Sequence, residues 1–281
     1  MIRPAIGSQL RVGLAQFKPD KAEVESNLSR ILEVVTEQSG EVDLLVFPET
    51  SLTGYFLEGG VAEAARSAAD VAERLGPPPE GAPDLVLGFF ERHRRRLYNS
   101  VVYLTAGEGF FEVTHVHRKM FLPTYGVFDE GRFVEAGKSV RAFDTRYGRV
   151  GLLICEEMWH SLPPTILAVG GAELIIAVSA SPARDFTPGG EGRPHNLSRW
   201  DALAPAPEPQ PPVTTRGRRW SRGTARDATP RAPPAARRCR RSPRRTRGCR
   251  PRPGRTTSRT RTSSGRGTRR GSWPAIVLAG N

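Results

Sequence analysis

Residues 148–161 read GRVGLLICEEMWHS: an apolar run that ends on a cysteine, followed at once by two glutamates. The run is short, apolar on successive residues and preceded by turn residues near Tyr147 and Gly148, which predicts a buried strand rather than a helix. Cys155 is then the residue at which that strand ends, the position where α/β folds build their sites. A free cysteine in such a place is also a well-behaved small hydrophobe. Its role depends on what else the chain brings to the same edge.

Alternating strands and helices extend outward from this segment. Residues 10–17 (LRVGLAQF) and 42–49 (VDLLVFPE) are short apolar runs, and between them residues 22–38 carry apolar side chains at helical spacing until Gly40. Strand, helix, strand is the opening of an α/β layer. A helix is predicted near 61–75, a loop at 76–83 (GPPPEGAP) and a strand at 84–90. Residues 99–107 and 109–117 read as a hairpin turning at Gly107–Gly109, and 140–155 as a second strand pair. A helix at 162–169, a strand at 172–181 and a further helix at 196–204 complete the pattern. There is no internal repeat.

Four residues could supply thiol chemistry together. Glu49 ends a strand, as Cys155 does; Lys119 follows one in VTHVHRKMFLP; Glu130 lies in an aromatic-flanked turn, PTYGVFDEGRF. Singly, each has a plain reading as a helix-start acid, a solvated cation or a turn acid. Jointly they match what a thiolate nucleophile requires: a base, a cation for the developing oxyanion, and an anion to hold that cation.

The segments FPET, HRKMFLPTYGVFDEGRF and GLLICEEMW, in that order, resemble the motifs of the nitrilase superfamily of carbon–nitrogen hydrolases, over about residues 9–204. LPTYGVFDEGRF and CEEMW look especially like the glutamine-amidase domain of glutamine-dependent NAD synthetases. The resemblance implies an α/β fold, a four-layer α-β-β-α sandwich of nitrilase type, and a homodimer. It implies Glu49 as general base, Cys155 as thioester-forming nucleophile, and Lys119 with the backbone N–H of Glu156 as oxyanion donors. Glu130 would orient Lys119 and the attacking water, and Tyr125 and Trp159 would lie near the substrate pocket. The substrate would be a small carboxamide or N-carbamoyl amine; no metal or organic cofactor is implied.

Two other chemistries fit the sequence less well. His115 and His117 share one strand face, but no third zinc ligand is evident. His160 is close to Cys155 in sequence, yet none of the local signatures of Cys-His proteases is present.

The charge totals divide the chain. Residues 1–204 hold 17 Arg and 4 Lys against 27 acids, a net charge of −6, whereas residues 205–281 hold 21 Arg, no Lys and 2 acids, a net charge of +19. Between Leu203 and Ile276 there is no Leu, Ile, Met, Phe or Tyr, so this stretch has almost nothing to bury. The sequence therefore predicts a hydrolase-like domain at 1–204, incomplete at its C-terminal side, and an Arg/Pro-rich tail at 205–281 without a core. Arginine without lysine, beginning inside an expected helix, is what a shifted reading frame of GC-rich DNA produces. The alternative is a basic protein that uses the tail to bind nucleic acid. With no apolar run long enough for a signal peptide or a membrane span, the expectation is a cytoplasmic protein outside membranes.

Overall fold

Short apolar runs cannot satisfy their backbone groups alone, and in this chain they do so by pairing into two sheets. The computed structural model describes residues 10–56, 59–124 and 129–180, with the backbone of two further strands at 215–219 and 275–279. The first sheet contains β1 (Val12–Gln16), β2 (Leu44–Val46), β3 (Asp84–His93), β4 (Arg96–Ala106) and β5 (Phe111–Arg118). The second contains β6 (Phe143–Thr145), β7 (Gly148–Ile154) and β8 (Leu174–Val178). The tail segments β9 (Thr215–Arg219) and β10 (Ala275–Ala279) extend them, giving the orders β5-β4-β3-β2-β1-β9 and β10-β8-β7-β6.

Among the described residues four helices flank these sheets: α1 (Val24–Gln38), α2 (Val61–Ala64), α3 (Ala68–Leu75) and α4 (Leu162–Val169). Three apolar clusters fill the gaps between layers. In the first, Ile31, Val35 and Val71 of α1 and α3 meet Leu45, Leu85, Leu87 and Phe89 on the outer face of the first sheet. In the second, Leu44, Val46, Val86 and Val101 face Leu152, Ile154, Ile176 and Val178 across the two sheets. In the third, Leu167 of α4 packs on Leu153, Ile175 and Ala177. Neighbouring residues of one strand thus enter different gaps, as Leu44 and Leu45 do. Runs apolar at every position are what strands buried on both faces require. The result is the expected four-layer α-β-β-α sandwich.

The structure differs from the sequence reading in three places. The expected helix at 61–75 is two helices, interrupted where Arg66 bridges to Glu91 and where the Ser67 hydroxyl accepts from the Asp70 N–H at 3.1 Å to cap α3. The β3–β4 hairpin runs well past residue 90, because Arg94 and Arg95 both adopt left-handed backbone (φ 47° and 69°) and close a two-residue turn. The Arg/Pro-rich tail, expected to lack a core of its own, contributes two five-residue strands to the sheets of the domain, β9 parallel to β1 and β10 parallel to β8. Pairing with a free sheet edge uses main-chain groups, so the arginine-rich β9 (TRGRR) can do it, whereas β10 (AIVLA) is an apolar run at the end of the tail. The expected helix at 196–204 lies outside the described residues.

Candidate active site

Four strands, β2, β5, β7 and β8, deliver polar residues to one place as they end. Pro48 stops β2, and the next residue, Glu49, turns under the sheets, followed by Thr50 in left-handed backbone (φ 50°). Gly88 of β3 makes that turn possible. A Cβ there would stand 2.5 Å from the Thr50 nitrogen and 2.6 Å from the Pro48 oxygen.

Lys119 is the first residue beyond β5. The antiparallel register pairs Ser100 with Arg118, which sets Lys119 opposite Asn99, and its N–H donates to the Asn99 carbonyl at 2.9 Å. Its ammonium donates to Glu49 Oε1 at 2.9 Å and to Glu130 Oε1 at 2.7 Å. Asn99 Nδ2 donates to the same Glu49 oxygen at 2.8 Å, and the Ala180 N–H, just past β8, donates to Glu49 Oε2 at 2.8 Å. Tyr55 donates its hydroxyl to Glu130 Oε1 at 2.6 Å. Glu49 and Lys119 are each 1% exposed and Glu130 is fully buried.

Burial and charge compete here, and charge decides for the lysine. Burial would depress the Lys119 ammonium, but Glu49, Cys155 and Glu130 together hold its pKa above the ordinary lysine value, so it remains a cation. Glu130 moves the other way for an acid: burial pushes its carboxyl above the ordinary range, only partly offset by Lys119. The Tyr55 hydroxyl is also pushed up, first by burial and then by the charges of Glu130 and Glu49, so it is a proton donor in this network.

Cys155 follows Ile154, the last residue of β7, and begins a 3₁₀ turn running to Trp159. It adopts left-handed backbone (φ 45°), a conformation that costs a non-glycine residue roughly 1–2 kcal/mol. The parallel register pairs Ile154 with Val178, so Ser179 lies beside Cys155 and donates its hydroxyl to Sγ at 3.3 Å. Glu49, Lys119 and Glu130 thus form one hydrogen-bonded chain, and Cys155 is tied to it through Ser179, whose neighbour Ala180 donates its N–H to Glu49.

The remaining expectations fall elsewhere or nearby. Glu156 lies on the 3₁₀ turn, its side chain 3.8 Å from His160 Nε2. Trp159 packs with Met120 against the cluster beneath α4. Tyr125 lies outside the described residues. His160 stacks on Phe121 with ring centroids 4.1 Å apart. His115 stacks on Phe143, and His117 bonds to Glu157 at 2.7 Å.

Glu157 was missed by the sequence reading, as were Asn99 and Tyr55. It is fully buried, and besides His117 it accepts from the Ile154 N–H at 2.7 Å and the Met120 N–H at 2.8 Å. It thereby ties the residue before Cys155 to the residue after Lys119. The only sequence signal was an acid two places beyond the cysteine.

Residues 11–203 match the pattern of the family described as Carbon-nitrogen hydrolase. A glutamine-dependent NAD(+) synthetase from Thermotoga maritima is 34% identical over 180 residues, covering 62% of this chain and 30% of that protein. An (R)-stereoselective amidase from a Pseudomonas species is 31% identical over 182 residues, covering 61% of each chain. Among solved structures, glutamine-dependent NAD+ synthetase from Acinetobacter baumannii aligns with a TM-score of 0.55 at 26% identity, over 69% of this chain and 36% of that one. The chain thus spans about a third of the length of the synthetases it resembles.

Proposed function

This chain belongs to the carbon–nitrogen hydrolase family, and from that premise we propose that it hydrolyses a small carboxamide or N-carbamoyl amine through a thioester on Cys155. The observation that carries the reading is the buried Glu49–Lys119–Glu130 chain together with a half-buried thiol in strained backbone. Glu49 takes the thiol proton as Sγ attacks the carbonyl carbon. The oxyanion that forms is held by the Lys119 ammonium and the Glu156 N–H. As the C–N bond breaks, Glu49 returns its proton to the leaving nitrogen, releasing ammonia or an amine. Water then attacks the thioester, Glu49 accepts its proton, and the acid leaves as the thiol re-forms. Glu130 Oε1 is engaged by Lys119 and Tyr55, while Oε2 is buried without a partner among the described residues, which suits it to hold that water.

The experiment is ammonia release from glutamine, ω-amides and N-carbamoyl amines, with intact-mass detection of the acyl-enzyme. Release by the parent and none by Cys155→Ala supports the reading. Equal release by both, or no acyl adduct on any of the three classes, refutes it. Residues 205–281 are on this reading the product of a shifted frame, supported by their 21 arginines without a lysine. Genomic DNA whose alternative frame lacks family-like sequence there would contradict it. A homodimer remains the family expectation, to be read from the mass in solution.

A further inference from the structure

The strained β3–β4 turn opens onto a cavity of ≈ 320 Å³ that is separate from the carboxylate chain around Lys119. Its walls include Arg94, Arg96, Arg118, Lys138 and Arg141, and no acidic residue lines it. Two of these cations are neutralised from outside: Arg118 forks onto Glu91 at 2.6 and 2.7 Å, and Arg96 pairs with Glu135. Arg94, Lys138 and Arg141 have no carboxylate partner among the described residues. A solvated basic face is the ordinary explanation for exposed arginines. Three observations argue against it here.

The surrounding domain is net acidic, so leaving Arg94, Lys138 and Arg141 uncompensated around one concavity is a local reversal of sign. Such like charges repel and raise local potential unless an anion joins them. The turn that carries Arg94 also favours Asn-Gly, whereas Arg-Arg occupies both left-handed positions at a cost of roughly 1–2 kcal/mol each. Local folding preference therefore does not explain arginine there. Finally, the field of the site is felt by His115 in the wall. Burial, then His117, Arg141 and Arg118, lower its pKa to about 4.

We propose that this cavity binds a small polyanion of phosphate chemistry, such as a diphosphate group, between Arg94, Lys138 and Arg141. Its volume suits a small molecule rather than a nucleic-acid strand. The site is also joined to Lys119 through the main chain. Arg118 immediately precedes that lysine, the Gly137 N–H donates to its carbonyl at 2.7 Å, and Gly137 packs against the Arg118 carbonyl where a Cβ would not fit. An anion drawing Arg118 and Lys138 together would act on the segments that hold Lys119.

The test uses inorganic pyrophosphate and the full chain, followed by titration calorimetry and by NMR of the His115 imidazole. Any anion binding by the tail arginines is common to every variant, so the difference between the parent and Lys138→Ala/Arg141→Ala isolates the cavity. Expected are a saturable site weakened about tenfold or more in the double variant, and a His115 pKa that rises on binding in the parent alone. Arg94→Gly should weaken binding while raising the melting temperature, because it removes a cation and relieves the turn. Equal affinity in parent and double variant, or an unmoved His115 at saturation, overturns the proposal. So does preference for an oligonucleotide whose binding survives the double variant. None of these readouts requires amide hydrolysis, so failure of the hydrolase reading leaves the test intact.

Discussion

Lys119 is enclosed by two carboxylates and cannot be removed without leaving like charges together in a buried space. Lys119→Met is expected to lower unfolding free energy by about 3–5 kcal/mol in urea titration, the range for a buried charge that loses its partner. Lys119→Met/Glu130→Gln should recover part of that loss, and a double variant no more stable than the single one would contradict this account. His115 gives a second residue-level expectation. Its pKa is lowered from 6.5 to about 4 by burial and neighbouring cations, so the folded state resists a proton that the unfolded chain accepts. The stability it contributes is present above pH 6.5 and is lost as pH falls from 6.5 toward 4. Comparing urea midpoints of the parent and His115→Phe at pH 7 and 5 checks the sign: the variant should lose less stability on acidification.

At the scale of elements, the site depends on strand ends being pinned to one another. Glu157 binds the end of β7 to the segment after β5, and substituting Gln replaces a charged acceptor of two N–H groups and a histidine by a neutral amide. Glu157→Gln should cost about 1–3 kcal/mol and slow iodoacetamide labelling of Cys155, if labelling depends on the strained turn. Unchanged labelling with reduced stability would assign Glu157 to packing alone. Gly88 tests the approach of β3 to the Glu49 turn. With no space for a methyl group beside Thr50 and Pro48, Gly88→Ala should destabilise by roughly 1–3 kcal/mol, read from thermal melting.

For the whole molecule, the tail matters through its two strands. Deleting residues 205–281 removes β9 and β10 and exposes the edges of β1 and β8, so light scattering at equal concentration should show faster aggregation than in the full chain. The α/β layering was legible because runs such as LLV and LIIAV are apolar at every position, as strands buried on both faces require, whereas the four-layer sandwich came from the resemblance of three motifs to the nitrilase superfamily. Glu49, Lys119, Glu130 and Cys155 were legible because each follows a strand or lies in a marked turn. Tyr55, Asn99 and Glu157 were not: Tyr55 meets Glu130 across 75 residues and Asn99 meets Glu49 across 50. Local pattern carries no record of such distances. The basic cavity was hidden for the same reason, since the expected strand at 84–90 stopped short of a turn that glycine or asparagine would have marked and arginine did not. Strand faces and strand ends follow from the order of residues along the chain, because side-chain alternation is a local property. Which ends come together, and so which groups share a proton, a charge or an anion, was decided by register between strands and packing between sheets.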